Sequence, residues 1–339
     1  MIGRDVIEKY LDSLAKPRGS LGRLERVAAR LAEIQGTLVP ITKPRRVVLF
    51  AADHGVVEAG VTAWPSSVTE LMIATILTGR AASSVLAKSS NTELRLVDVG
   101  TRGLELDAEP HLYRRAIVRA GTANLALEPA MTVADFDKAW GVGNEEACAA
   151  IGQGCRLLAA ADMGIGNTTP SACIAMLLAD LPCELAVGPG AGADAAVMAR
   201  KRLAVSGSVA RALPMLTQEP ITAIASVAGL EIVATAGFYA AAAQAGITIV
   251  LDGFISGAAA LITERLVPGS TRCMIAGHVS SETGHAAILA KLGLEPVLDW
   301  RMRLGEGTGA LIAMPLLDAA AALLADMATL EDLGVGRCD

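Results

Sequence analysis

The sequence predicts an α/β fold: a Rossmann-like parallel sheet of about six strands flanked by helices, plus a small helical domain from both chain termini. Three observations predict it. Short runs rich in β-branched residues, such as Val47-Val48-Leu49-Phe50 and Ile247-Thr248-Ile249-Val250, alternate with longer stretches of helical periodicity. Almost every such run empties into a glycine-bearing loop, and open α/β sheets keep their ligand crevice at the carboxyl ends of their strands. Aromatic residues make up only 3% of a chain that is 53% hydrophobic, so the core is assembled from Ala, Val, Ile and Leu, which suits close packing of helix on sheet.

The 339 residues hold core material for one large or two modest domains. The expected division is a small helical domain from 1–40 and 311–339 and a large α/β catalytic domain over 41–310. Net charge is −6, and cationic stretches are no longer than Lys43 to Arg46 and Arg200 to Arg202, so nucleic acid is not an expected partner. The six cysteines form no C-x-x-C pair, which fits a reducing cytoplasm. Met1 to Ser20 carries charges throughout and lacks the apolar centre of a signal peptide. Ile232 to Leu251 runs twenty residues without a charge, long enough to span a bilayer. It breaks at Ala245-Gly246 and turns β-branched afterwards, which predicts a buried helix and a buried strand rather than membrane insertion.

In chain order, Asp5 to Ala15 and Leu21 to Gln35 read as amphipathic helices, the second with Leu21, Leu24, Val27, Ala28, Leu31 and Ile34 on one face. The Lys16 to Glu25 segment between them is either a ligand loop or a solvated helical hairpin. Arg45 to Ala52 is a strand that delivers Asp53 and His54 at its carboxyl end, as an acid–base or metal pair or as a loop-ordering contact. Thr62 to Thr69 is a turn holding Trp64, a ring on which a flat ligand can lean, and a helix follows from Glu70 to Lys88. Glu93 to Val99 and Ala116 to Val118 are the next strands. A helix from Asp135 leads to the strand Leu157 to Ala161.

Glu184 to Val187 reads as a short strand before a second glycine turn, Gly188 to Gly192, and a helix carrying Lys201. Ile247 to Leu251 and Arg272 to Ala276 complete the strands. His278, Glu282 and His285 offer zinc-type ligands but lack cysteine support or an H-E-x-x-H helix, so neither metal nor cofactor is expected. Glu306 sits between glycines in Arg303 to Ala310, where a carboxylate can project from uncrowded backbone. Leu311 to Leu330 is the closing helix.

The chemistry concentrates in Ala161 to Ala172, which compresses a strand end, a phosphate-sized turn and a helix start. Gly164 and Gly166 free the backbone for positive φ and close approach to a ligand. Asn167, Thr168 and Thr169 supply donors and an N-cap, and Pro170 fits the first helical turn. The amides of the helix start would face an anion. Gly190 and Lys201 supply a second glycine turn and a cation.

Six motifs in order carry a family resemblance: Lys16 to Glu25, Ala52-Asp53-His54-Gly55-Val56, Met163 to Thr169, Leu251-Asp252-Gly253-Phe254, Gly284-His285 and Arg303 to Ala310. Together they resemble the nicotinate-nucleotide:dimethylbenzimidazole phosphoribosyltransferase family nearly end to end. The resemblance implies transfer of the phosphoribosyl group of nicotinate mononucleotide onto dimethylbenzimidazole, giving α-ribazole phosphate and nicotinate for cobalamin nucleotide-loop assembly, by a cytoplasmic homodimer acting on small-molecule substrates. Alternatives are a sibling transferase using adenine or another lower-ligand base, and a non-catalytic nucleotide-binding protein. Glu306 falls at the family's general base, and Gly164, Gly166, Asn167, Thr168, Gly190 and Lys201 fall at or beside positions holding the nucleotide's phosphate and ribose. The base pocket is expected at Thr62, Trp64, Ser66 and Leu304. Asp162 stands where the family has glutamate and is the second catalytic candidate. Gly188-Pro189-Gly190-Ala191-Gly192 lacks the arginine and threonine of the family's loop, and Thr283 replaces a proline.

Overall fold

The structure, a computed structural model, describes residues 2–103, 109, 111–190 and 192–334. Ala191, Cys338 and the rest of 335–339, at the end of the expected helical domain, lie outside them. The elements are α1 (Arg4–Ser13), α2 (Arg23–Gln35), β1 (Arg45–Ala52), α3 (Ser67–Leu77), α4 (Ala82–Ser89), β2 (Glu93–Gly100), β3 (Tyr113–Arg115), α5 (Val133–Gly152), β4 (Leu157–Met163) and α6 (Thr168–Ala179). There follow α7 (Cys183–Ala186), α8 (Ala195–Ala212), α9 (Pro220–Ala225), α10 (Leu230–Gln244), β5 (Thr248–Leu251), α11 (Phe254–Leu266), β6 (Met274–His278), α12 (His285–Lys291), β7 (Pro296–Leu298) and α13 (Thr308–Asp326).

The strands form one sheet in the order β3-β2-β1-β4-β5-β6-β7, and every pairing is parallel. The strand order reverses between β1 and β4, so a crevice is expected where these two strands end. All eight β1 residues are buried. Its alternate side chains serve two cores: Val48, Phe50 and Ala52 pack with α5, α6 and α8 to α11, whereas Val47, Leu49 and Ala51 pack with α1 to α4 and α13. A strand covered on both faces needs a continuous apolar run, which is why this segment reads so clearly in the sequence.

The charge-free stretch resolves into α10 and β5. Leu230 to Ala243 is buried throughout, and α10 lies so close to α5 that a β-carbon on Gly143 would stand 1.8 Å from the Ala234 carbonyl oxygen.

Five expectations need correction. The sheet has seven strands rather than about six, because the short edge strand β7 escaped notice; its proline is tolerated at the first position of an edge strand. β3 is Tyr113–Arg115, although the Ala116 and Val118 amides still donate to Asp98 and Val99 of β2. Glu184 to Val187 is no strand: after Pro182 the chain makes one helical turn, with the amides of Leu185 and Ala186 bonded to the Pro182 carbonyl. The helix expected over Glu70 to Lys88 breaks into α3 and α4 around Gly79, whose φ of 77° ends the first. The last predicted strand begins later, since Ser270–Cys273 forms a 3-10 turn before β6.

Candidate active site

The carboxyl ends of β4, β5 and β6 open into a cavity of about 1020 Å³, closed on one side by α3 and α4 and on another by the loop entering α13. Most of the expected site residues line it: Asp162, Gly164, Gly166, Asn167, Thr168, Gly190, Glu306, Thr62, Trp64 and Leu304. Ser66 and Lys201 are not part of its wall.

The turn after β4 is tied down from several sides. Gly166 takes a φ of 94°, the left-handed conformation that favours glycine. Gly164 serves by close approach instead, since a β-carbon there would stand 2.4 Å from the Ala52 carbonyl oxygen and 2.9 Å from His54 Nε2. The Ile165 amide donates to Thr69 Oγ1 at 3.1 Å, and the amides of Gly166 and Thr168 have no acceptor among the described residues. Such amides at the start of α6, a twelve-residue helix, suit an anion. Asn167 is no side-chain cap, contrary to expectation; its Nδ2 donates to Asp162 Oδ2 at 2.8 Å.

Lys201 lies behind this wall. The residue is 2% exposed, and its ammonium donates to Thr168 Oγ1 at 2.7 Å and to the Gly188 carbonyl at 2.8 Å, beside Gly190 with its φ of 53°. Burial brings its pKa down to about 8, opposed by the nearby Glu282 carboxylate. The lysine thus joins the two glycine turns and sends its charge into the cavity through Thr168.

Glu306 projects from backbone that a side chain would otherwise crowd. Gly305, Glu306 and Gly307 have φ of 82°, 57° and 78°, so a non-glycine residue is held left-handed between two glycines, and such strain marks functional positions. The loop is fastened by Asp252 at the end of β5. Its carboxylate, fully buried, accepts from the amides of Gly307 (3.1 Å), Gly309 (2.7 Å) and Ala310 (3.2 Å) at the start of α13. Thr308 Oγ1 donates to the Gly305 carbonyl at 2.8 Å.

The carboxyls share a buried environment. Burial lifts Glu306 above the usual carboxylate range, Ser83 opposes the rise by hydrogen bonding and Asp252 adds to it. Asp162 is also pushed well above the usual carboxylate range, first through burial and then through the charges of Asp252 and Glu231, with a smaller push from Glu306; the Asn167 hydrogen bond works the other way. Its carboxyl oxygen is 3.7 Å from where a β-carbon on Gly305 would stand, so Asp162 lies against the Glu306 loop.

Part of the wall is apolar, with Val68, Met72, Leu86, Ile165 and Ile312, and fits a flat ring. These residues, together with Ser83, Glu231 and the anchoring role of Asp252, were missed from sequence. Helical periodicity marked the α3 residues as apolar but gave no sign that they face a ligand.

Of the other candidate ligands, His278 and Glu282 line the cavity, whereas Asp53, His54 and His285 are engaged elsewhere. Asp53 Oδ2 accepts the Arg102 amide at 2.9 Å, whereas His54 turns inward to Glu231, so the two are not a joint pair. His285 Nδ1 accepts the Ser280 amide at 2.8 Å, and no group of three side chains suited to a metal occurs among the described residues.

A family model described as phosphoribosyltransferase matches residues 4–335. The chain is 47% identical over 327 residues to the nicotinate-nucleotide–dimethylbenzimidazole phosphoribosyltransferase of Thermus thermophilus, covering 96% of each chain. It is 42% identical over 332 residues to the enzyme of the same name from Cupriavidus taiwanensis, covering 98% of this chain and 95% of that one. The crystal structure of CobT from Thermus thermophilus aligns with a TM-score of 0.94 at 45% identity, covering 98% of this chain and 99% of the other.

Proposed function

The chain belongs to the phosphoribosyltransferase family, and from that premise we propose that it moves the phosphoribosyl group of nicotinate mononucleotide onto dimethylbenzimidazole. The observation that carries this reading is the placing of Glu306, strained between two glycines, in the same cavity as the amide-lined turn of Gly164 to Thr168. One end of the cavity suits a phosphate and the other offers a carboxylate beside an apolar slot.

The nucleotide's phosphate lies on the Gly166 and Thr168 amides, with Gly190 beside it and Lys201 behind. The base occupies the slot of Thr62, Trp64 and Leu304. One benzimidazole nitrogen attacks the anomeric carbon as the bond from that carbon to the pyridinium nitrogen breaks. The leaving nicotinate ring keeps the bond's electrons and loses its positive charge, so it needs no acid. Attack from the opposite face turns a β-linkage into an α-linkage. Glu306 takes the proton from the other benzimidazole nitrogen. Alignment of two reactants in a site shielded from water supplies most of the remaining acceleration.

Asp162 and Glu306 act as a pair that shares a proton, because burial and neighbouring negative charge push both carboxyls upward and carboxyls so placed resist ionising together. Aspartate is one methylene shorter than the family's glutamate, and a bridging water spans the gap to the base.

The helices of 1–40 and 311–339 form the small domain of the enzyme, and the enzyme works as a cytoplasmic homodimer. Support comes from Trp64 and Leu304, which expose 50% and 59% of their surface at the cavity rim, where a second copy would cover them. Mass spectrometry of products from nicotinate mononucleotide with dimethylbenzimidazole, adenine and a phenol tests the reading. Formation of α-ribazole phosphate supports it, a product only with adenine or phenol assigns the sibling activity, and no product with any base leaves a nucleotide binder.

A further inference from the structure

His54 and Glu231 take no part in the chemistry above, yet they are among the most enclosed ionisable groups in the chain. Their side chains are 1% and 0% exposed, and His54 Nε2 stands 3.0 Å from Glu231 Oε1. His54 comes from the loop after β1 and Glu231 from the first turn of α10, so the pair joins the end of β1 to the start of α10. Neither side chain forms a well-aligned hydrogen bond to any other described group. A buried histidine and carboxylate retained without further partners cost stability relative to an apolar replacement, which points to a role outside stability.

Glycines press backbone onto the pair. A β-carbon on Gly164 would stand 2.9 Å from His54 Nε2, and one on Gly229 would stand 2.6 Å from His54 Cε1 and 2.7 Å from Glu231 Oε1. Gly166 also approaches the imidazole, with its β-position 3.7 Å from His54 Cβ. The turn that follows Asp162 therefore rests on the histidine ring, and the glutamate behind that ring acts electrostatically on the Asp162 carboxyl.

We propose that His54 and Glu231 are positioning residues for the transfer reaction: the pair is the platform on which the Gly164 to Gly166 turn is seated, with the Glu231 carboxylate standing behind Asp162. The platform fixes the turn's amides for the nucleotide phosphate and Asp162 for the incoming base. This rests on the proposed reaction. The charged or titratable groups facing Asp162 are Glu231 and Tyr239 from α10, Asp252 from the end of β5 and Glu306 from the loop before α13, with His54 reached through Glu231. His278, Glu282 and Arg303 line the same cavity.

The test is a pH profile of kcat, with KM for each substrate, in the full chain and in Glu231→Gln, His54→Gln and the double variant. Wild-type turnover comes first: its absence sinks the reaction assignment and not the platform. With turnover present, Glu231→Gln removes a negative charge behind Asp162, so the limb of the pH profile that Asp162 carries moves to lower pH, by about half a unit or more. KM for nicotinate mononucleotide rises by about threefold or more while KM for the base changes little, and the double variant loses less than the product of the single losses. A merely structural pair would lower kcat with limbs and KM unmoved, and that result overturns the proposal. If Glu231→Gln does not fold, His54→Gln is read for KM and the double variant for the limbs; unchanged values there overturn it equally.

Discussion

Ser83 Oγ, fully buried at the start of α4, lies 3.4 Å from Glu306 Oε2 across the cavity. This contact links the helices that line the cavity to the carboxylate proposed as the general base. A hydroxyl donating to a carboxylate favours its ionised form, so Ser83 restrains the rise in pKa that burial imposes on Glu306.

Replacing Ser83 with alanine should therefore push Glu306 higher. The base works deprotonated, so activity rises with pH through its pKa, and the acidic limb of kcat should move to higher pH by a few tenths to about one unit, equivalent to a net hydrogen bond of about 0.5–1.5 kcal/mol. A profile that stays in place would remove Ser83 from contact with the base.

Asp252→Asn should shift the same limb in the opposite direction. It takes away a negative charge that raises Glu306, so the acidic limb moves to lower pH. It also removes the carboxylate bound to three amides at the start of α13, costing about 1–2 kcal/mol of stability as loss of a charged N-terminal partner does. Denaturant melts and a pH–rate profile check the two effects separately.

Lys201 titrates near pH 8 because it is buried, and its charge favours phosphate only while it is protonated. Affinity for nicotinate mononucleotide should fall as pH rises through about 8. In Lys201→Ala binding should weaken by about 1.5–3 kcal/mol and lose that step. Calorimetry with the nucleotide and with its dephosphorylated nucleoside checks the point, since the nucleoside should lose far less. Equal losses would make the lysine a strut between Thr168 and Gly188.

At Asp162, asparagine should lower turnover by about tenfold or more because it cannot share a proton with Glu306, whereas glutamate should keep activity. Steady-state kinetics on both variants decide it. An active Asn variant beside a dead Glu variant would make Asp162 a turn-forming residue in a pocket too tight for the longer acid.

Much of this arrangement was legible in the sequence where local chemistry and global fold coincide. The uninterrupted apolar run of β1 reports burial on both faces, and Gly305 and Gly307 single out Glu306 because few other reasons place glutamate between two glycines. What escaped depends on contacts distant in sequence. Ser83 is an ordinary helix residue until the break at Gly79 swings α4 toward a loop more than two hundred positions later. Lys201 shows as a cation after a glycine turn, but only the packing of α8 against α6 puts Thr168 between it and the cavity. The strand expected over Glu184 to Val187 failed because its apolar residues pack beneath α6 and α8 rather than in the sheet, and apolar character alone does not distinguish the two.

Removal of the benzimidazole proton by Glu306 is tested most directly by single-turnover transfer from saturating nicotinate mononucleotide to dimethylbenzimidazole in Glu306→Gln, with nucleotide affinity measured in parallel. Folding and nucleotide binding should be unchanged and the transfer step slowed by about 10² to 10⁴. Transfer within threefold of the parent would contradict it and leave the proton to another group.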